Sequence, residues 1–112
     1  MPIVDVNYEN VGLTIQNGTL EGTSPEADGA RVLYSNSSLT LEGVTVGVEG
    51  EDIYGIVTNG TNVKNAIALK NSTLNVPNGN GIYFPSTGTV TIENSIINAK
   101  YVGVQMCAGS LA

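Results

Sequence analysis

The segment IALKNSTLNVPNGNGIYF, Ile67–Phe84, contains three short alternating runs separated by turn residues. Ile67 and Leu69 alternate with Ala68 and Lys70, and Asn71 ends the run. Leu74 and Val76 then alternate with Thr73 and Asn75, before a break at Pro77–Asn80. Finally Ile82 and Phe84 flank Tyr83. Period-two alternation puts successive side chains on opposite faces of a strand, so one segment yields three half-buried strands joined by turns.

The same phrase recurs along the chain. Its first run begins at Leu13 (LTIQNG), Leu39 (LTLEGV), Ile67 (IALKNS) and Val90 (VTIENS), at spacings of 26, 28 and 23 residues. A second phrase keeps step with it: GARVLY from Gly29, GIVTN from Gly55, GIYFP from Gly81 and GVQMC from Gly103. The length differences fall between the phrases, where loops belong.

No single copy can bury its own apolar face, so the copies must stack. At the β-sheet spacing of roughly 4.8 Å, stacking pairs each strand with its equivalent one coil away. Five inward columns follow. They are Leu13–Leu39–Ile67–Val90, Ile15–Leu41–Leu69–Ile92, Leu20–Val46–Leu74–Ile97, Ala30–Ile56–Ile82–Val104 and Val32–Thr58–Phe84–Met106. Only Thr58 breaks their apolar character. The sequence thus predicts an all-β fold, a short parallel β-helix of about four coils with three parallel sheets. One domain spans residues 1–112, with 1–12 a partial or capping coil and repeats starting near 13, 39, 67 and 90. Outward, Lys70 falls between Glu42 and Glu93, an arrangement that favours charge pairing. Asn17, Gly43, Asn71 and Asn94 occupy the bend after the first run, where a left-handed backbone is needed.

Composition narrows the function classes. The 112 residues carry a net charge of −6 with only four Lys or Arg, too few and too scattered to neutralise a phosphate backbone. No nucleic acid is therefore expected as a partner. No run is long enough for a membrane span, and MPIVDVNYEN shows neither the basic start nor the apolar run of a signal peptide. Histidine is absent, which removes its acid–base and metal chemistry. The single cysteine, Cys107, forms no internal disulfide and reads as a small buried filler near a coil edge.

The cadence of GIYFPSTGTVTIENSIINA, Gly81–Ala99, resembles the right-handed parallel β-helix repeats of pectin-lyase-like proteins. It is also similar to pertactin-type autotransporter passengers and other bacterial surface β-helices. The likeness covers roughly Leu13–Ala112 and is architectural, with no catalytic signature. It implies a right-handed coil, in keeping with the hand of parallel crossovers. It also implies a secreted or cell-surface location and a piece of a longer protein.

The resemblance directs attention to the outward face of the third run, Arg31–Val57–Tyr83–Gln105. Arg31, Tyr83 and Gln105 are candidate carbohydrate contacts, set against an ordinary solvated strand face. No acid stands among these four, so the paired carboxylates of a glycosidase are missing. A weaker candidate is acidic. Glu26 and Asp28 lie in one loop and Glu49, Glu51 and Asp52 in the equivalent loop of the next coil, all with oxygen ligands suited to Ca²⁺. Their spacing follows no known calcium loop, and a solvated acidic cluster is the simpler reading. Tyr54 and Tyr101, each next to a recurring glycine region, are expected to pack across a corner. No catalytic residue, cofactor or resident metal is expected. The expected role is a non-enzymatic structural or adhesive segment that displays loops to a host surface or glycan. The alternative is a carbohydrate-active lyase or hydrolase fragment, or a carbohydrate-binding module. Uncapped coil ends are expected to favour end-to-end self-association.

Overall fold

A computed structural model describes residues 1–60 and 62–112, and among them there are strands, turns and bends but no helix. The strands are β1 (Val4–Val6), β2 (Gly12–Gly22), β3 (Ala30–Val32), β4 (Ser37–Val48), β5 (Tyr54–Thr58) and β6 (Lys64–Lys70). They continue as β7 (Thr73–Val76), β8 (Asn80–Phe84), β9 (Thr87–Glu93), β10 (Ile96–Ala99), β11 (Val104–Met106) and β12 (Ser110–Leu111). Every pairing is parallel. One sheet has five strands in the order β1-β3-β5-β8-β11. The other has seven and contains both the first and second runs of each coil. The chain is a parallel β-solenoid of about four turns.

The stacking follows the sequence register. Leu13 pairs with Leu39, Leu39 with Ile67 and Ile67 with Val90, while Leu41 pairs with Leu69 and Leu69 with Ile92. Leu20, Val46, Leu74 and Ile97 stack likewise, as do Ala30, Ile56, Ile82 and Val104. The three faces per coil are present, but the first two belong to one bent sheet. The reason is local: β2 and β4 run through the bend and pair on both sides of it, with only Asn17 and Gly43 themselves out of the ladder. In the next two coils Asn71 and Asn94 interrupt the strand, dividing it into β6 and β7, then β9 and β10. All four bend residues have positive φ, between 45° and 65°. That region costs most L-residues roughly 1–2 kcal/mol, and Gly or Asn least.

Side chains reinforce the bends. Asn94 Nδ2 donates to Asn71 Oδ1 at 2.6 Å. A second asparagine ladder, not evident in the repeated phrase, joins Asn36 to Asn10 at 2.8 Å, both again at positive φ. The recurring glycine of the second phrase has a different cause. A Cβ at Gly29 would lie 2.3 Å from the carbonyl oxygen of Gly55, and one at Gly81 would lie 2.2 Å from that of Gly103. At these two positions the backbone of the next coil passes too close for any side chain, whereas a Cβ at Gly55 would meet the Leu74 side chain and one at Gly103 would meet nothing within 4 Å.

Thr58, the polar member of an apolar column, also has an explanation. Its hydroxyl lies 2.7 Å from Ser86 Oγ, which is 2.8 Å from Asn65 Oδ1. Asn65 Nδ2 donates to the carbonyls of Tyr34 and Ser37. All three side chains are buried. They form a satisfied polar node at one corner of a core otherwise built from Val, Ile, Leu, Ala30 and a single Phe84. Buried polar atoms are tolerated on this condition.

The segment before Gly12 contributes β1, whose Val4 and Val6 head two of the core columns above Ala30 and Val32. At the other end Leu111 in β12 pairs with Val90. The expected Lys70 charge pairs do not close. Lys70 is in register with Glu42 and Glu93, yet Arg31–Asp5 is the sole ion pair among the described residues. Glu42 instead accepts from the Gln16 amide at 3.3 Å.

Candidate functional site

The outward face of the five-stranded sheet gathers most of the distinctive side chains. Its central column is Asp5–Arg31–Val57–Tyr83–Gln105, fixed by the register of β1, β3, β5, β8 and β11. Asp5 corrects the expectation that this face carries no acid. It heads the column and accepts from Arg31 Nη2 at 3.1 Å. The sequence signal was present: Val4-Asp5-Val6 alternates 26 residues before Ala30-Arg31-Val32. Arg31 Nε is shielded from solvent and has no hydrogen-bond partner among the described residues.

The predicted contact residues are on one face but not side by side. Val57 intervenes between Arg31 and Tyr83, and Tyr83 is next to Gln105. Two strand spacings therefore separate Arg31 from Tyr83, roughly 9.6 Å. Tyr54, expected at a corner, instead stacks on Tyr83 with ring centroids 5.4 Å apart and planes 24° from parallel. Tyr101 also departs from the corner-packing expectation. It is exposed, with Lys100 Nζ 5.2 Å from its ring centroid.

Cys107 is exposed and not a core filler. It follows β11 directly. The Tyr83 hydroxyl titrates above the ordinary tyrosine range, chiefly because a charged Cys107 thiolate would oppose a second negative charge beside it. Partial burial, a hydrogen bond with Cys107 and the neighbouring Tyr54 push the same way. Tyr83 therefore stays protonated near neutral pH. It offers a ring and a donor, and it is a poor proton acceptor.

The acidic loops form a second locus. Asp28 Oδ1 accepts from the backbone N–H of Tyr54 at 2.9 Å, which ties the first loop to the coil below. Asp52 occupies a positive-φ turn at 58°, and Asn78 donates to the carbonyl of Glu49. Glu26, Glu49, Glu51 and Asp52 are exposed. Among the described residues, no three Asp, Glu or Cys side chains assemble into a group able to hold a metal ion. The loops do frame two open grooves. One, of about 210 Å³, runs between Glu21, Val48, Glu49 and Pro77, and the other, of about 430 Å³, between Pro25, Gly50, Glu51 and Asn78.

No described helix is long and apolar enough to cross a membrane. Comparison with protein-family models, curated proteins and solved structures finds no match, so any function must be argued from the chain's own surfaces.

Proposed function

We propose that this solenoid is a structural or adhesive segment of a bacterial cell-surface or secreted protein, a rigid spacer that holds loops out for contact. The observation that carries this reading is the continuity of its core. Leu39, Leu41, Ile67, Leu69, Leu74 and Ile82 are all at most 1% exposed and sit in unbroken vertical register. Close-packed columns of this kind resist bending and transmit position from coil to coil. Loop length, by contrast, varies freely at the corners, where Thr23–Gly29 and Glu49–Ile53 border the two grooves.

A carbohydrate-binding surface is the second reading, favoured by the Tyr54–Tyr83 pair with Gln105 beside it. Aromatic rings supply apolar area and polar tips to such sites. The bound class would be a neutral or acidic glycan, or one of the pectin type attacked by lyases if catalysis is present.

A bead display of the whole chain, probed with a glycan array and immobilised extracellular-matrix proteins, tests both. The adhesive reading expects binding that disappears when Glu49–Ile53 is replaced by a short Gly-Ser turn and persists in Tyr83→Ala. Glycan binding lost in Tyr83→Ala with the loops intact favours the second reading. Turnover of a polysaccharide contradicts a purely structural role.

A further inference from the structure

Asparagine followed by glycine occurs four times: Asn17–Gly18, Asn59–Gly60, Asn78–Gly79 and Asn80–Gly81. The pair is chemically labile. The backbone nitrogen after the asparagine can reach its side-chain Cγ, and glycine puts no Cβ in the way. The fold treats the four pairs differently. Gly79 N–H donates to the carbonyl of Val76 at 3.1 Å, and Gly81 N–H to that of Val102 at 2.9 Å. Their asparagines are held as well. Asn78 Nδ2 donates to the Glu49 carbonyl, and Asn80 Oδ1 accepts from the Val102 N–H. Asn17–Gly18 lies inside β2, whose ladder with β4 resumes at Gly18.

Asn59–Gly60 is the exception. It lies between β5, which ends at Thr58, and β6, and both residues are exposed. The strands β3 and β8 flank β5 on either side, so this exposure does not depend on either end of the chain. Among the described residues, neither the Asn59 side chain nor the Gly60 N–H has a hydrogen-bond partner. Gly60 has a φ of 67°, so the turn itself asks for the residue that leaves Asn59 open to attack. The Asn59 carbonyl, by contrast, is fixed from inside. Ser86 Oγ lies 3.1 Å from it and belongs to the buried node with Thr58 and Asn65.

From this contrast we propose that Asn59 is a self-modification site, converting in the folded protein to aspartyl and isoaspartyl forms ahead of the other three pairs. Water is the co-reactant. Gly60 N gives up its proton to solvent and bonds to Asn59 Cγ, and the Cγ–Nδ2 bond breaks as ammonia leaves. Water then opens the cyclic imide at one of its two carbonyls. Opening at Cγ leaves an aspartyl side chain on an ordinary backbone. Opening at the former backbone carbonyl routes the chain through the side chain and lengthens it by a methylene. It also turns the carbonyl that Ser86 touches into a free carboxylate. No electrons are transferred. Either product makes the chain more negative, and the isoaspartyl form also disturbs the buried node.

Peptide mapping of the whole folded chain, after incubation in mildly alkaline buffer, tests this. Trypsin cuts after Arg31, Lys64, Lys70 and Lys100, so Asn59 falls in a different peptide from Asn17 and from Asn78 and Asn80. Tandem mass spectrometry localises the mass gain of amide-to-acid conversion. Asn59 is expected to convert at least about tenfold faster than Asn78 or Asn80, whose held amides must open first. In guanidinium chloride the four pairs are expected to convert at comparable rates. Equal rates in the folded chain, or a lead by any other pair, overturn the proposal. A lead of Asn59 that persists undiminished in denaturant assigns the preference to local sequence and equally overturns it. Asn59→Gln, whose longer side chain does not close the same ring, is expected to abolish conversion at this position. Asn59→Asp is expected to unfold at the wild-type denaturant concentration, and the aged isoaspartyl form at a lower one. An isoaspartyl form as stable as Asn59→Asp overturns the coupling to Ser86.

Discussion

The middle coils and the end coils are written in the same residues and behave differently. Leu39, Leu41, Ile67 and Leu69 are at most 1% exposed. Leu13, Ile15 and Ile92 continue the same columns yet are only partly buried. Nothing in the local pattern distinguishes the two sets. The difference lies in having a coil on both sides or on one, which is the energetic logic of a solenoid: stability resides in the contacts between neighbouring repeats.

Substitution in one column should therefore give unequal costs. Leu69→Ala, in the middle, is expected to destabilise the protein by about 3 kcal/mol because its cavity is enclosed. Leu13→Ala, at the N-terminal end, is expected to cost about 1 kcal/mol, since water already reaches the site. Urea unfolding measures both, and equal losses break the comparison.

The polar node sharpens it next. Asn65→Ala removes the amide that bonds the carbonyls of Tyr34 and Ser37 and one of the partners of the buried Ser86. The expected loss is about 2 kcal/mol by urea unfolding. Asn71→Ala, at an interior bend, loses its tolerance of positive φ and its ladder bond, for about 1–2 kcal/mol. Asn71→Gly keeps the backbone freedom and is expected to recover more than half of that loss.

Smaller effects belong to the five-stranded sheet's outer face. Arg31→Ala removes the Asp5 pair, whose side chains are 34% and 29% exposed, and is expected to cost less than about 1 kcal/mol. The Tyr83 proton supplies the last test. Its folded-state pKa lies above the ordinary value of 10.0, so the folded state favours the neutral ring. That stabilisation is complete below pH 10.0 and is lost as pH rises through the raised value. Cys107→Ser removes the leading cause and is expected to move the tyrosinate absorbance transition of Tyr83 downward. An unchanged transition means the two side chains do not interact.

The columns and the Asn/Gly bends were legible in the sequence because each coil repeats the same physical demand. Side chains that serve only one coil were not. Thr58 broke an apolar column until Ser86, in the bend before β9, supplied its partner, itself bonded to Asn65 on β6. Asp5 lay outside the repeated phrase, in a strand of three residues. Tyr54 reached Tyr83 across a register in which its own backbone partner is Asn80. Cys107 and Tyr101 were misread as packed because residue type and position in the repeat do not report burial at a corner. The order Arg31, Val57, Tyr83, Gln105 along one sheet could be read from the repeats, whereas the head of that column at Asp5 required the register of β1.

The most direct test is a methyl-labelled nuclear Overhauser spectrum of the whole chain. Cross-peaks linking Leu41 to Leu69 and Leu69 to Ile92, with none linking Leu41 to Ile92, are the predicted result. Direct contact between Leu41 and Ile92, or no contact between Leu69 and either of them, would contradict the stacked-coil account.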